Sequence, residues 1–181
     1  MSPWTVVTVR IKTKYRSAKH GNTTPKSRKA GTSAAPDYIV VHNTGSNASA
    51  KNNCIYFARE GVKTQASADY FIDKDGTIWQ YNNWQKAYSW HCGDGHGAYG
   101  ITNSNSIGIE VVSADDAFTE AQITSLTKLI AKLRKQCGIP AKHVCRHWDA
   151  SRKSCPGYYA GADSTVKGKR WKVLHRQIAG K

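Results

Sequence analysis

The chain has 181 residues, enough for one domain with a substantial core, and aromatic residues make up 10% of it, which argues against disorder. It carries 27 Lys and Arg against 12 Asp and Glu, a formal net charge of +15, so its surface favours polyanions. No run of eighteen apolar residues exists, which excludes a membrane-spanning helix by hydropathy.

Residues 4–11 are rich in β-branched side chains and predict a strand. Residues 1–10 lack a basic region followed by an unbroken apolar core, so no secretory signal is expected and synthesis is expected in the cytoplasm. Residues 12–36 mix Lys and Arg with Ser, Thr, Gly and Pro and predict a long basic surface loop. Residues 37–42 read as a buried strand. Ser49 is placed to cap a helix over 50–60, with Gly61 as its stop. Residues 67–72 and 77–81 predict two strands joined by the turn Asp73-Lys74-Asp75-Gly76. Residues 82–104 hold many Gly, Asn, Trp and His and little periodicity, the mark of a functional loop. Residues 107–112 predict a further buried strand.

The clearest helix spans 120–137. Thr119 and Gln122 form a capping box, Phe118 can staple against Ile123, and Ile123, Leu126, Ile130 and Leu133 share one face. Gly138 and Pro140 end it. A short strand over 143–147 and a last helix over 164–178, burying Trp171, Leu174 and Ile178, complete the pattern. The alternation predicts a single α/β domain: a mixed sheet of five or six strands with helices on both faces. Of the five cysteines, Cys155 is set aside as a candidate zinc ligand; Cys54, Cys92, Cys137 and Cys145 are expected as free thiols in a reducing compartment, with a Cys137–Cys145 bridge as the open alternative.

Residues 146–157 hold His147 and Cys155, both side chains that bind zinc, and His42 closes an apolar run far upstream. Three protein ligands would leave one tetrahedral position for water, the arrangement of a catalytic zinc. A different grouping is open in the same residues. His143, Cys145 and His147 alternate, and on a strand they would share a face and close a structural site with Cys155.

Five segments then carry a family resemblance, in order along the chain: Ile39-Val40-Val41-His42-Asn43-Thr44, Ser67-Ala68-Asp69-Tyr70-Phe71-Ile72-Asp73-Lys74-Asp75-Gly76-Thr77-Ile78, Trp90-His91-Cys92-Gly93, Asn105-Ser106-Ile107-Gly108-Ile109-Glu110, and residues 147–156. Together they resemble the type 2 N-acetylmuramoyl-L-alanine amidases, which include phage endolysins and autolysins and are related to peptidoglycan recognition proteins. The resemblance implies the same α/β fold and one catalytic Zn2+ held by His42, His147 and Cys155. It implies Glu110 as general acid and base, Lys153 facing the oxyanion, and Trp90, His91, Asn43 and Thr44 along the substrate groove. Two departures stand out: many members have Tyr where this chain has Ala68, and Asp69 stands where His is common. Tyr70, two residues on, would share the face of Ala68 on a strand starting at Ser67, but the role of the family tyrosine is not transferred to it.

The function this implies is zinc-dependent cleavage of the bond between N-acetylmuramic acid and L-alanine, as a monomeric phage or prophage endolysin. It would act on the wall after release, with the basic surface drawn to anionic wall polymers and no separate wall-binding domain. The alternatives are a non-catalytic peptidoglycan-binding protein and a cytosolic muropeptide-recycling amidase. A nucleic-acid role rests on charge alone, with no recognition motif to support it. Trp79 and Trp84 are further candidates for aromatic walls beside sugar rings.

Overall fold

The computed structural model describes residues 11–13, 22–25 and 35–180, and for 59–64 the backbone alone. In chain order the strands and α-helices are β1 (Ile11–Lys12), β2 (Thr23–Pro25), β3 (Tyr38–Asn43), α1 (Ala50–Thr64), β4 (Tyr70–Ile72), β5 (Ile78–Gln80), β6 (Ala87–Ser89), β7 (Ser106–Val111), α2 (Glu120–Cys137), β8 (Val144–Arg146), α3 (His147–Ser151) and α4 (Val166–Ala179). Single 3-10 turns lie at Gly93–Gly95, Asn103–Asn105 and Ala141–His143.

Six strands form one mixed sheet in the order β1-β5-β4-β7-β3-β8, antiparallel only between β4 and β5. The alternation of side chains along each strand separates two apolar layers. Ile39, Val41, Ile107, Ile109, Tyr70 and Ile72 face α2 and α4. Phe71 and Trp79 face the opposite way, toward Ala50 and Cys54 of α1. Helices therefore cover both faces, as the pattern of elements predicts.

The connections set the position of the site. From β3 the chain crosses by way of α1 to β4; from β7 it crosses by way of α2, on the other face, to β8. Neighbouring strands whose crossovers leave in opposite directions open a crevice at their carboxyl ends. His42 and Glu110 stand there, at the ends of β3 and β7.

Local chemistry explains most of the element ends. Ser49 Oγ accepts from Asn52 N, as the capping reading requires. The α1 helix does not stop at Gly61, however. It runs to Thr64 and ends with Gln65 in the left-handed region at φ 47°; one interior glycine costs only about 1 kcal/mol. The α2 capping box is present in both directions, Gln122 N to Thr119 Oγ1 at 3.2 Å and Thr119 N to Gln122 Oε1 at 2.9 Å. Gly138, at φ 73°, ends that helix.

One further expectation changes, and two fall largely outside the described residues. The strand predicted over 4–11 lies outside the described residues except for Ile11, and so does most of the basic 12–36 stretch. Within that stretch Thr23–Pro25 is not loop: it pairs antiparallel with Ala87–Ser89 as a small second sheet. None of the five cysteines is in a disulfide, in line with the reducing-compartment reading, so the Cys137–Cys145 alternative falls away.

Candidate metal and active site

The site forms where β3, β7 and the segment after β8 meet. In the parallel register His42 lies opposite Glu110, so both project from the same sheet face. His147 opens α3, and the loop beyond α3 returns to the end of β3. Trp148 N donates to Cys155 O at 2.9 Å and Gly157 N to Asn43 Oδ1 at 3.0 Å. These bonds bring Cys155 Sγ to 3.7 Å from His42 Nδ1. One ligand atom each from His42, His147 and Cys155 then lies within 4.8 Å of the others, and this trio could hold a metal ion.

The hydrogen bonds behind the cluster assign its tautomers. Ser106 Oγ donates to Thr102 O at 2.5 Å, so it accepts from His91 Nε2 at 3.1 Å. The acceptor nitrogen of His91 is then Nδ1, which accepts from His42 Nε2–H at 3.1 Å. This leaves the lone pair of His42 on Nδ1, the nitrogen that faces Cys155. On the other ligand, His147 Nε2 lies 2.7 Å from Asp94 Oδ1, which leaves Nδ1 free.

Burial dominates the protonation of these groups. It lowers the pKa of His42 far below the ordinary value, with the neighbouring His147 and His91 adding to it. It brings His91 down to about 3 and lowers His147 despite the opposing effect of the hydrogen bond His147 donates to Asp94. All three imidazoles are thus neutral near pH 7, the form that binds metal. For Asp94 burial acts upward, but the His147 hydrogen bond and the Lys153 charge outweigh it and the carboxyl is lowered. Cys155 is pushed up by burial and then by Glu110, an effect that a bound cation reverses.

Glu110 is the anomaly in this apolar strand. Its Oε2 is buried and has no hydrogen-bond partner among the described residues. Burial raises its pKa to about 8, with Lys153 pulling the other way. A carboxyl kept in this state needs a reason, because buried polar atoms are nearly always paired.

The cleft above the cluster has two adjoining lobes. One, of about 410 Å³, is lined by His42, Glu110 and Cys155 with Asn43, Thr44 and Asp115. The other, of about 520 Å³, is lined by Tyr88, Trp90, Asp94 and Asn103 with Thr24 and Gln65. His91, His147 and Lys153 border both. Trp90 is held across the small sheet by its Nε1 donating to Thr24 Oγ1 at 2.9 Å. Asn43 and Thr44 line the cleft but are already engaged. The Asn43 amide donates to Ala114 O at 2.9 Å, and Thr44 Oγ1 donates to Ser46 O at 2.8 Å. Lys153 is exposed, with Nζ 4.0 Å from Asp94 Oδ2. Its neighbour Arg152 turns away and stacks on Tyr99 at 4.0 Å.

Several sequence-level readings are corrected here. His143 stacks on Tyr38 and bonds to Asp37 O, and Cys145 packs beside Val40, so neither joins His147 in a closed metal site. The strand ends at Arg146 and helix α3 begins at His147, which breaks the assumed alternation. Ala68 and Tyr70 also do not share a face: the strand starts only at Tyr70, which packs toward α2 while Ala68 packs toward α1. Trp79 and Trp84 line neither lobe; Trp79 packs in the α1 layer and Trp84 against the α2 layer. Asp69 is fully buried. It accepts from Gly108 N at 2.8 Å, Ser89 Oγ at 2.8 Å and Asn82 Nδ2 at 2.6 Å, clamping β7 to the 82–89 segment. Asp94 and Tyr88 were not singled out from the sequence, because the 82–104 stretch shows no period from which to place a side chain.

With this geometry in hand, comparison with known proteins is specific. The sequence profile of the N-acetylmuramoyl-L-alanine amidases matches residues 32–158. The chain is 32% identical over 126 residues to the N-acetylmuramoyl-L-alanine amidase CwlH of Bacillus subtilis, covering 70% of this chain and 49% of that protein. It is 30% identical over 149 residues to CwlA of the same organism, covering 81% of this chain and 50% of that protein. The chain thus spans about half the length of these curated relatives. The structure of the catalytic domain of XlyA superposes with a TM-score of 0.71 at 27% identity, covering 94% of this chain and 99% of that one. Family profile, curated relatives and superposition agree, and the chain belongs to the type 2 N-acetylmuramoyl-L-alanine amidase family.

Proposed function

We propose that this chain hydrolyses the amide between N-acetylmuramic acid and L-alanine in peptidoglycan, as an endolysin-type enzyme with one zinc ion held by His42, His147 and Cys155. Tetrahedral zinc with Zn–S near 2.3 Å and Zn–N near 2.0–2.1 Å separates sulfur and nitrogen by about 3.6 Å. The observed Cys155 Sγ to His42 Nδ1 distance is 3.7 Å, and two imidazoles with a thiolate form a typical zinc donor set. The bound ion would polarise the scissile carbonyl and acidify water.

The remaining steps belong to the chain's own residues. Glu110 takes the proton of the attacking water and delivers it to the departing amine. A carboxyl whose pKa is about 8 without metal, and lower beside a cation, is poised for both transfers. Lys153, at the junction of the two lobes, offers its ammonium to the oxyanion of the tetrahedral intermediate. Trp90 and Tyr88 provide aromatic surface in the larger lobe, His91 steadies His42 from behind, and Asn43 and Thr44 shape the rim of the smaller lobe. The observation that carries the reading is the unpartnered Oε2 of Glu110, in a cleft it shares with three converging metal-binding atoms.

Anionic wall polymers are the proposed partner of the basic surface. The solvent face of α4 presents Lys169, Arg170, Lys172 and Arg176 and carries no acidic residue. Among the described residues no helix is long and apolar enough to cross a membrane. The test is digestion of purified Gram-positive peptidoglycan. New L-alanine amino groups without new reducing sugar ends are expected; new reducing ends, or neither product, contradict the assignment. Cleavage of soluble muropeptides but not of intact sacculi would favour a recycling role over wall lysis.

A further inference from the structure

We propose that Asp94 is a positioning residue of the metal centre: its carboxylate holds His147 with Nδ1 free for the metal and keeps Lys153 on the same side of the cleft. The inference rests on the zinc reading above. Asp94 lies in a loop that carries no periodic signal.

Asp94 sits between two glycines whose backbones are pressed against neighbours. A Cβ at Gly93 would come within 2.8 Å of Asn103 Nδ2, and one at Gly95 within 2.2 Å of the Ala150 carbonyl oxygen of α3. A side chain at Gly95 would force the turn away from the very helix that His147 opens. The approach is reinforced on both flanks. Asn103 Oδ1 accepts from His91 N at 3.0 Å and Cys92 N at 2.8 Å, and Arg152, at the end of α3, stacks on Tyr99 at the far end of the turn. The backbone at Asp94 is therefore located by packing on Asn103 and α3, independently of its own side chain.

That side chain then makes contacts only toward the site and α3. Oδ1 lies 2.7 Å from His147 Nε2, Oδ2 lies 4.0 Å from Lys153 Nζ, and the Ser151 hydroxyl is a third partner. The carboxyl is 45% exposed, so the fold gains little from it. A carboxylate behind a metal-bound histidine selects the tautomer, orients the ring and raises the basicity of the ligand nitrogen. His42 is backed differently, by the neutral chain His91–Ser106–Thr102. Among the described residues, Asp94 is thus the one anionic group hydrogen-bonded behind either histidine of the cluster.

The test uses the full chain, stripped of metal and titrated with zinc against a chromophoric chelator. Replacing Asp94 by Ala is expected to weaken zinc binding about 10–100-fold. Asp94→Asn keeps an acceptor oxygen for Nε2–H and is expected to lose less. Nitrogen-15 spectra of the metal-free imidazoles above pH 7 should report the Nε2–H tautomer of His147 in the wild type and in D94N, with the Nδ1–H tautomer appearing in D94A. Unchanged affinity and an unchanged His147 spectrum in D94A would overturn the proposal. If circular dichroism shows D94A unfolded, D94N decides: an intermediate loss supports the proposal and no loss overturns it. Failure of the wild type itself to bind zinc would instead remove the metal reading on which the inference stands.

Discussion

His42 and Glu110 are register partners on the adjacent parallel strands β3 and β7. The first metal-binding imidazole and the unpartnered carboxyl therefore project side by side from one sheet face, at the centre of the sheet. A site built this way separates binding from proton transfer, because Glu110 is not one of the three converging ligands. Glu110→Gln should keep fold and zinc content and lower the cleavage rate about 10²–10⁴-fold. Zinc analysis and turnover on the same sample check this; near-wild-type turnover removes Glu110 from the mechanism.

Cys155 contributes the sulfur of the cluster and is held there by backbone bonds that do not involve its side chain. Cys155→Ser should therefore leave the loop in place and weaken zinc binding sharply. Full zinc occupancy at micromolar metal in the variant would contradict the ligand set.

Gly108 on β7 has a specific steric reason to be glycine. A Cβ there would stand 2.6 Å from Cγ of His91. Gly108→Ala should displace the ring that supports His42 and cost about 1–3 kcal/mol of stability, the usual cost of overpacking. Urea unfolding of the metal-free protein measures the cost, and zinc affinity reports the displaced ring. A fully stable variant with unaltered affinity would show that the ring is not held as described.

The buried imidazoles set an acid limit on the metal-free protein. His91 has a folded pKa of about 3 against about 6.5 unfolded. Between these values the unfolded chain binds more protons, so stability falls as pH falls. The difference in stability between wild type and His91→Gln isolates this group from Glu110, whose raised pKa acts in the opposite sense. That difference should shrink as pH drops from about 6.5 toward 3, by at most about 1.4 kcal/mol per pH unit. A pH-independent difference would mean that His91 is not buried neutral.

What was readable in the sequence and what was not follows the range of the forces involved. The α2 helix carries its cap, its stripe and its stop within its own residues, and its observed bounds are the predicted ones. His42, His147 and Cys155 sit in segments whose residue types carry the chemistry, and they converge. Thr23–Pro25 was not legible, because its strand exists only by pairing with residues 87–89, far along the chain. Ala68 and Tyr70 share a face only on a strand that starts at Ser67, as the residue pattern suggests. Its true start, at Tyr70, depends on the clamp around Asp69. Asp94 was hidden for the same reason: its position is set by Asn103 and Ala150, neither of them near it in sequence.

The most direct test of the whole account is a zinc titration of the metal-free protein, read as the initial rate of L-alanine amino groups released from peptidoglycan. The account predicts no release without metal and a rate that rises with zinc to saturate at one equivalent per chain. Release by the metal-free protein, or none at any zinc concentration, would contradict it.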